Sequence, residues 1–135
     1  MASAARIDNQ PSSDPTIYVV DDDEAVRDSL TLLLESHGML VKAYESAGAF
    51  LAEYQTGAAG CLLLDLHMPG MSGIDLLEQF APGKIDIPVI VISGKADATT
   101  RSRAAAAGAN AVLDKPFRDQ DLLSAIQTAM SAYRP

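Results

Sequence analysis

The chain has 135 residues, which suits one ordinary domain and leaves no room for two. Its 18 acidic and 10 basic residues give a formal net charge of −8, which argues against direct nucleic-acid binding because phosphate contacts need clustered lysine and arginine. Hydrophobic residues make up 48% and charged residues 21% of the chain, as in globular rather than disordered proteins.

The chain begins with residues 1–15, which are small, polar and interrupted by proline, and we predict a disordered tail there. From Thr16 onward, short β-branched and aliphatic runs alternate with segments whose apolar residues recur at helical spacing. The predicted strands are 16–20, 39–43, 60–65, 88–93 and 110–113. The predicted helices are 24–37, 47–54, 72–80, 97–107 and 119–132. We therefore expect one folded domain over residues 16–133.

Alternation of five strands with five helices predicts an α/β fold, in which a parallel sheet carries helices on both faces. The third and fourth predicted strands are nearly all apolar. Parallel strands of that kind are buried on both faces, so we expect these two in the middle of the sheet. Ligands of open parallel sheets bind beyond the carboxyl ends of the strands, which makes the residues that end each strand the candidates for function.

Polar side chains end four of the predicted strands. The run 21–23 (DDD) follows the first strand, Asp65 ends the third, Ser93 ends the fourth and Lys115 follows the fifth. Neighbouring carboxylates repel one another unless a cation offsets their charge, and carboxylate oxygens are the ligands that Mg²⁺ prefers. An aspartate beside a metal ion and a lysine can attack phosphorus as a nucleophile, while a serine hydroxyl donates to a phosphoryl oxygen.

Four motifs resemble those of the receiver domain of two-component response regulators, the CheY-like family. They are 19–24 (VVDDDE), 64–73 (LDLHMPGMSG), 91–94 (VISG) and 114–117 (DKPF). The likeness covers about residues 16–132 and is greatest to receivers coupled to helix-turn-helix output domains. It implies a doubly wound, flavodoxin-like sheet of five parallel strands in the order 2-1-3-4-5, with five helices.

The resemblance implies that Asp65 is the phosphoacceptor. It also implies that Mg²⁺ is held by Asp65, by Asp22 directly, by Asp21 through water and by the main-chain carbonyl of His67. Asp23 stands one place beyond the usual acidic pair and is kept as a weaker alternative ligand.

The resemblance further implies that Ser93 hydrogen-bonds the phosphoryl group and that Lys115 pairs with it. The bond before Pro116 is expected to be cis. His67 and Lys95 are expected to lie at the rim of the site. Val112 takes the switch position, where many receivers carry a tyrosine or phenylalanine, so aromatic rotation cannot report phosphorylation there.

The leading function is a phosphorylation-controlled switch rather than an enzyme, and three alternatives were weighed. An aspartate-based phosphohydrolase usually needs a second acid two residues after its nucleophile, where this chain has His67. A flavin or nucleotide binder needs a Gly- or Ser/Thr-rich loop after the first strand, where residues 21–23 would repel a phosphate. A receiver that has lost phosphorylation would lack part of the set formed by the acidic residues, Ser93 and Lys115.

The implied partners are a sensor histidine kinase or a histidine phosphotransfer protein. A homodimer through the fourth helix, fifth strand and fifth helix is an open alternative. Arg101, Arg103 and Arg118 form either a docking surface there or solvated charge. The sequence leaves open whether the chain is a natural single-domain receiver or the excised front of a DNA-binding regulator.

Signals for export or membrane insertion are missing from the sequence. The longest apolar runs, such as 61–64 and 89–92, are far too short to cross a bilayer, and the N-terminus lacks the order of a secretory signal. A single cysteine, Cys61, cannot form an internal disulfide. We therefore expect a cytoplasmic protein without membrane contact.

Overall fold

The computed structural model describes residues 15–55, 57, 59–66, 75, 77–78, 85–94 and 97–132. Its strands are β1 (Thr16–Val20), β2 (Leu40–Tyr44), β3 (Gly60–Asp65), β4 (Val89–Ser93) and β5 (Ala111–Asp114). Its helices in these ranges are α1 (Glu24–Ser36), α2 (Ala47–Glu53), α3 (Ala98–Ala106) and α4 (Asp119–Ala132). The predicted tail, apart from Pro15, lies outside the described residues. Most of the helix predicted over 72–80 does so too, although Asp75, Leu77 and Glu78 are helical.

The five strands form one parallel sheet in the order β2-β1-β3-β4-β5, which confirms the expected order. The register aligns the carboxyl ends of the strands. Val20 pairs with Leu64, so the next residues along the two chain segments, Asp21 and Asp65, lie side by side at the carboxyl edge of the sheet. Ser93 pairs with Asp114, which brings Lys115 next to the same edge.

Every residue of β3 and β4 is buried, as expected for central strands. Alternate side chains of these strands point to opposite faces, so each face of the sheet carries its own apolar layer. One layer gathers around Phe50, Leu62 and Val91, and the other around Leu34 and Leu63. Helices therefore cover both faces of the sheet, and the polar residues at the strand ends are positioned by its buried central strands.

Local hydrogen bonds set the ends of the elements and explain the small differences from the predicted bounds. α1 ends at Ser36 because Gly38 adopts a positive φ of 82° and the Met39 N–H donates to the Leu34 carbonyl. β2 consequently begins at Leu40. β5 begins at Ala111, directly after Asn110, whose N–H donates to the Val89 carbonyl at 2.7 Å and whose side chain accepts the Val89 N–H at 2.9 Å.

Gly60 permits the close pairing of β1 with β3. Its register partner is Thr16, and a Cβ added at Gly60 would lie 2.0 Å from the Thr16 carbonyl oxygen. A side chain at this position would therefore push the two strands apart at the amino end of the sheet.

No helix in the described ranges combines the length and the apolar character that a membrane span needs.

Candidate functional site

Three carboxylates meet at the carboxyl edge of the sheet. Asp21, Asp22 and Asp65 each offer one carboxylate oxygen, and these oxygens lie within 4.8 Å of one another. Asp21 is 3% exposed and Asp65 is 4% exposed, whereas Asp22 is exposed to solvent. The group is thus open on one side and backed by the sheet on the other.

Asp21 is held in place by hydrogen bonds to three different segments. Its Oδ1 accepts a hydrogen bond from the Asp23 N–H at 2.9 Å. Its backbone N–H donates to the Tyr44 carbonyl of β2 at 3.1 Å. Its carbonyl accepts a hydrogen bond from Arg27 Nη1 of α1 at 2.8 Å. The contact from Arg27 was not predicted, because a link across the turn between β1 and α1 depends on how that turn folds.

Lys115 extends toward the two buried carboxylates. Its Nζ lies 3.7 Å from Asp65 Oδ1 and 4.0 Å from Asp21 Oδ2. Its backbone N–H donates to the Ser93 carbonyl at 2.8 Å, and the peptide bond to Pro116 is cis. Ser93 is fully buried at the end of β4. The four residues predicted from separate strand ends therefore do come together.

The electrostatics of the edge favour binding of a cation. Burial raises the pKa of Asp21, and the charges of Asp65 and Asp22 raise it further, against the lowering effects of the Asp23 N–H and Lys115. Among the described residues, the carboxylates of Asp21, Asp22 and Asp65 gather at this edge and the Lys115 ammonium lies near two of them, so carboxylate charge predominates there. An all-oxygen, carboxylate set fits a hard divalent cation such as Mg²⁺ better than a soft metal.

The alternative ligand Asp23 has a different role. Its Oδ1 accepts hydrogen bonds from the N–H groups of Ala25 at 2.9 Å and Val26 at 3.3 Å, and it is the N-cap of α1. The carboxylate is thus used in starting the helix, and the gathered group of three does not include it. The structure therefore does not support Asp23 as a ligand.

The remaining predicted site residues fall into two groups. Val112 is half-buried on β5, pairs with Val91 and packs against the apolar layer around Phe50. The two rim residues, His67 and Lys95, lie outside the described residues.

Each of the three arginines considered as a docking group lies in an ion pair. Arg101 Nη2 lies 2.5 Å from Asp114 Oδ2, and Arg103 Nη2 lies 3.1 Å from Glu78 Oε1. Arg118, which directly precedes α4, has its Nε 3.7 Å from Asp121 Oδ2 in the first turn of that helix. The Arg101–Asp114 pair between α3 and β5 could not be predicted from the sequence, because only the packing of α3 on the sheet brings the two residues together.

The amino-acid sequence of this chain is similar to those of several response regulators. Response regulator protein TmoT of Ectopseudomonas mendocina is 47% identical over 114 residues, which cover 84% of this chain and 52% of that protein. Transcriptional regulatory protein FixJ of Rhizobium meliloti is 44% identical over 117 residues, covering 87% of this chain and 57% of that protein. The chain therefore spans little more than half the length of these relatives.

Solved structures agree with the sequence relatives. The crystal structure of FixJ-N is 41% identical, has a TM-score of 0.82, and is matched over 92% of this chain and 99% of that one. The response regulator StyR is 42% identical with a TM-score of 0.82, over 90% of this chain and 61% of that one. Residues 17–127 match the family described as the response regulator receiver domain. Together with the acidic edge and the strand order, these matches show that the chain belongs to the receiver domain family of two-component response regulators.

Proposed function

We propose that this receiver domain accepts a phosphoryl group on Asp65 from the phosphohistidine of a sensor histidine kinase or a histidine phosphotransfer protein. The observation that carries the proposal is the position of the Asp65 carboxylate. It lies at the end of a buried strand, grouped with the oxygens of Asp21 and Asp22 and 3.7 Å from the Lys115 ammonium. The Asp65 nucleophile therefore lies between the carboxylates of Asp21 and Asp22, whose charge a cation can offset, and the positive charge of Lys115.

In the proposed transfer, an Asp65 carboxylate oxygen attacks the phosphorus of the donor. The new P–O bond forms as the P–N bond to the donor imidazole breaks, and the leaving nitrogen takes up a proton. Lys115 pairs with the incoming phosphoryl oxygens, and the Ser93 hydroxyl donates a hydrogen bond to one of them. Water later hydrolyses the acyl phosphate, so the signal decays without a separate catalytic centre.

We propose that Mg²⁺ is the cofactor of this step. Asp22 and Asp65 would hold it directly, Asp21 through water, and the main-chain carbonyl of His67 would complete the protein ligands. When bound, Mg²⁺ supplies positive charge that offsets the phosphoryl oxygens. Asp21 and Asp22 would also orient the ion relative to the acceptor oxygen of Asp65.

We propose that the output of the domain is a change in its protein-binding surface rather than direct contact with nucleic acid. The surface formed by α3, β5 and α4 adjoins Lys115, and it is the proposed place for a second copy of the chain to bind. Two similar proteins, the transcriptional regulatory proteins FixJ of Rhizobium meliloti and TdiR of Thauera aromatica, are nearly twice as long as the segment that this chain matches. We therefore propose that DNA binding, where it occurs, belongs to a further domain of a cytoplasmic regulator.

The experiment that tests the phosphoacceptor is a comparison of wild type with Asp65→Asn and Asp28→Asn. Asp28 is an exposed aspartate of α1 and serves as the matched control. Each protein is incubated with acetyl phosphate and Mg²⁺, and the added phosphoryl group is measured by intact-mass spectrometry. We expect wild type and Asp28→Asn to be modified and Asp65→Asn to remain unmodified. Equal modification of Asp65→Asn would show that the acceptor lies elsewhere.

A second arm of the same experiment tests the metal. Chelation of Mg²⁺ with EDTA is expected to abolish the modification of wild type, because the three carboxylates then repel an incoming phosphoryl group. Readdition of Mg²⁺ should restore it. A wild-type protein that remains unmodified with Mg²⁺ present would refute the proposed function as a whole.

A further inference from the structure

The ion pair between α3 and β5 lies beside the residues that would hold the phosphoryl group. Asp114 is the last residue of β5 and directly precedes Lys115 in the chain. It is also the register partner of Ser93, whose carbonyl accepts the Lys115 N–H at 2.8 Å. Asp114 therefore shares the backbone segment that positions both Ser93 and Lys115.

The other partner of the ion pair belongs to the first turns of α3. The Asp97 side chain caps this helix by accepting the Thr100 N–H at 2.8 Å, and the Arg101 N–H donates to the Asp97 carbonyl at 2.9 Å. Arg101 Nη2 reaches across to Asp114 Oδ2 at 2.5 Å. A charged hydrogen bond thus joins the capped start of α3 to the end of β5.

The Arg101–Asp114 ion pair matters because position 112, where many receivers carry an aromatic switch residue, is a valine. A valine packed on the apolar layer offers no aromatic ring that can rotate between an exposed and a buried position, so ring rotation at this position cannot couple β5 to α3. The Arg101–Asp114 pair connects these two elements at the residue next to Lys115.

We propose that Arg101 and Asp114 are positioning residues of the receiver switch, whose ion pair holds α3 against β5 and opposes the movement of Lys115 toward a phosphoryl group on Asp65. The inference rests on the proposed function, because it assumes that Asp65 is the acceptor. Phosphorylation would shift or break the ion pair and so release α3. Its two side chains are 47% and 52% exposed, which makes the pair easy to open in water.

The test measures the affinity for beryllofluoride, an acyl-phosphate mimic, in the presence of Mg²⁺. Wild type is compared with Arg101→Ala, Asp114→Ala and the double variant by following backbone amide resonances during a titration. We expect each single variant to bind the mimic about two- to five-fold more tightly, because an exposed ion pair contributes only modestly. The double variant should bind no more tightly than either single variant, since both remove one shared interaction.

Arg103→Ala is the matched control. Arg103 lies on the same helix in an ion pair of similar exposure, at 52% and 46%, but its partner Glu78 is not on β5. We expect its affinity for beryllofluoride to equal that of wild type. Reversal of the pair in Arg101→Asp with Asp114→Arg should restore the wild-type affinity. The affinity for Mg²⁺ in fluoride-free buffer should be unchanged in every variant, which separates positioning from a general loss of structure.

The outcomes distinguish this inference from the function on which it rests. An unchanged or weaker affinity in Arg101→Ala, or the same gain in Arg103→Ala, overturns the role of the ion pair while leaving the phosphoacceptor intact. A wild-type protein that does not bind beryllofluoride with Mg²⁺ overturns the proposed function and this inference together.

Discussion

The two ends of the sheet surround their aspartates with opposite electrostatic environments. At the carboxyl end, Asp21 lies close to two other carboxylates. At the amino end, Asp86 lies in the segment before β4 and accepts hydrogen bonds from the Tyr54 hydroxyl and, at 2.7 Å, from the Gly57 N–H. One aspartate is placed among like charges, and the other is supplied with donors.

The pKa values of the two aspartates shift in opposite directions as a result. For Asp86, burial is the largest single influence and raises the pKa, but the hydrogen bonds from Tyr54, from Gly57 and from its own N–H outweigh it and lower the pKa overall. For Asp21, burial again raises the pKa, and the charges of Asp65 and Asp22 add to the rise. The hydrogen bonds at the amino end therefore stabilise the charged form of Asp86, whereas the carboxylates at the carboxyl end repel one another and favour a bound cation.

An aromatic cluster packs beside the Tyr54–Asp86 contact and extends to Tyr44, at the carboxyl end of β2. The Phe50 ring stacks on Tyr54 with centroids 5.1 Å apart, and it meets Tyr18 and Tyr44 edge-on at 5.6 Å. Burial raises the pKa of the Tyr54 hydroxyl, and its hydrogen bond to Asp86 raises it further, so this hydroxyl remains a donor at neutral pH. We expect the cluster to contribute to the stability of the fold.

The largest expected effect is on stability, in Phe50→Ala. Phe50 is fully buried among three other aromatic rings, so its truncation should lower the free energy of unfolding by about 3–5 kcal/mol. Urea denaturation followed by circular dichroism measures this loss. Leu32→Ala is the control, because Leu32 is 72% exposed and should change stability by less than about 0.5 kcal/mol. Equal losses in the two variants would contradict the central role of the cluster.

The next largest effect is expected from Asp21→Asn, at the carboxyl end of the sheet, where it should change both Mg²⁺ binding and stability. Removal of this charge should weaken Mg²⁺ binding about ten-fold or more, since even residues that hold a metal indirectly contribute that much. In the presence of EDTA the same variant should be more stable than wild type, because a buried carboxylate next to two others is lost. Calorimetric titration with Mg²⁺ and urea denaturation measure the two effects.

Asp86→Asn is the counterpart of Asp21→Asn at the amino end. It should lower stability and leave the affinity for Mg²⁺ unchanged, because Asp86 is stabilised by its own donors and lies apart from the three gathered carboxylates. A loss of Mg²⁺ affinity in this variant would mean that the two ends of the sheet are coupled.

A smaller effect is expected in Tyr54→Phe. The variant keeps the ring stacking but removes the hydroxyl that donates to Asp86, and it should lower the free energy of unfolding by about 1 kcal/mol. Tyr44→Phe removes a similar hydrogen bond to Glu53 at 3.0 Å. Because Glu53 is exposed and water can replace the lost donor, this control should lose less stability. The reverse order would show that the Asp86 contact adds little.

The smallest expected effect is the change with pH in how much Asp86 contributes to the free energy of unfolding. A carboxyl group whose pKa is lower in the folded state contributes stability above its unfolded pKa and loses that contribution as the pH falls through the folded value. The difference in stability between wild type and Asp86→Asn should therefore be constant near neutral pH and shrink below about pH 4. Urea denaturation over this range measures the difference. A difference that grows as the pH falls would contradict the lowered pKa of Asp86.

Much of the fold could be predicted because it depends on local patterns. The apolar runs of β3 and β4 predict central strands, since no other position in an α/β fold buries both faces of a strand. Strand bounds were off by a single residue at β2, β4 and β5, and hydrogen bonds of Gly38, Met39 and Asn110 lie directly before β2 and β5. Those hydrogen bonds depend on the turn geometry, which periodicity does not encode.

In the candidate site, too, some features could be predicted from the sequence and others depended on the tertiary structure. The amino-acid sequence by itself determined that Asp21, Asp65, Ser93 and Lys115 follow strands, and a parallel register then requires that they share one edge. Only the tertiary structure decided that Asp23 caps a helix while its neighbours gather at the site, because both roles suit an aspartate after a strand. The Arg101–Asp114 and Tyr54–Asp86 contacts also required it. Each joins residues far apart in the chain, and their meeting depends on how helices and loops pack on the sheet.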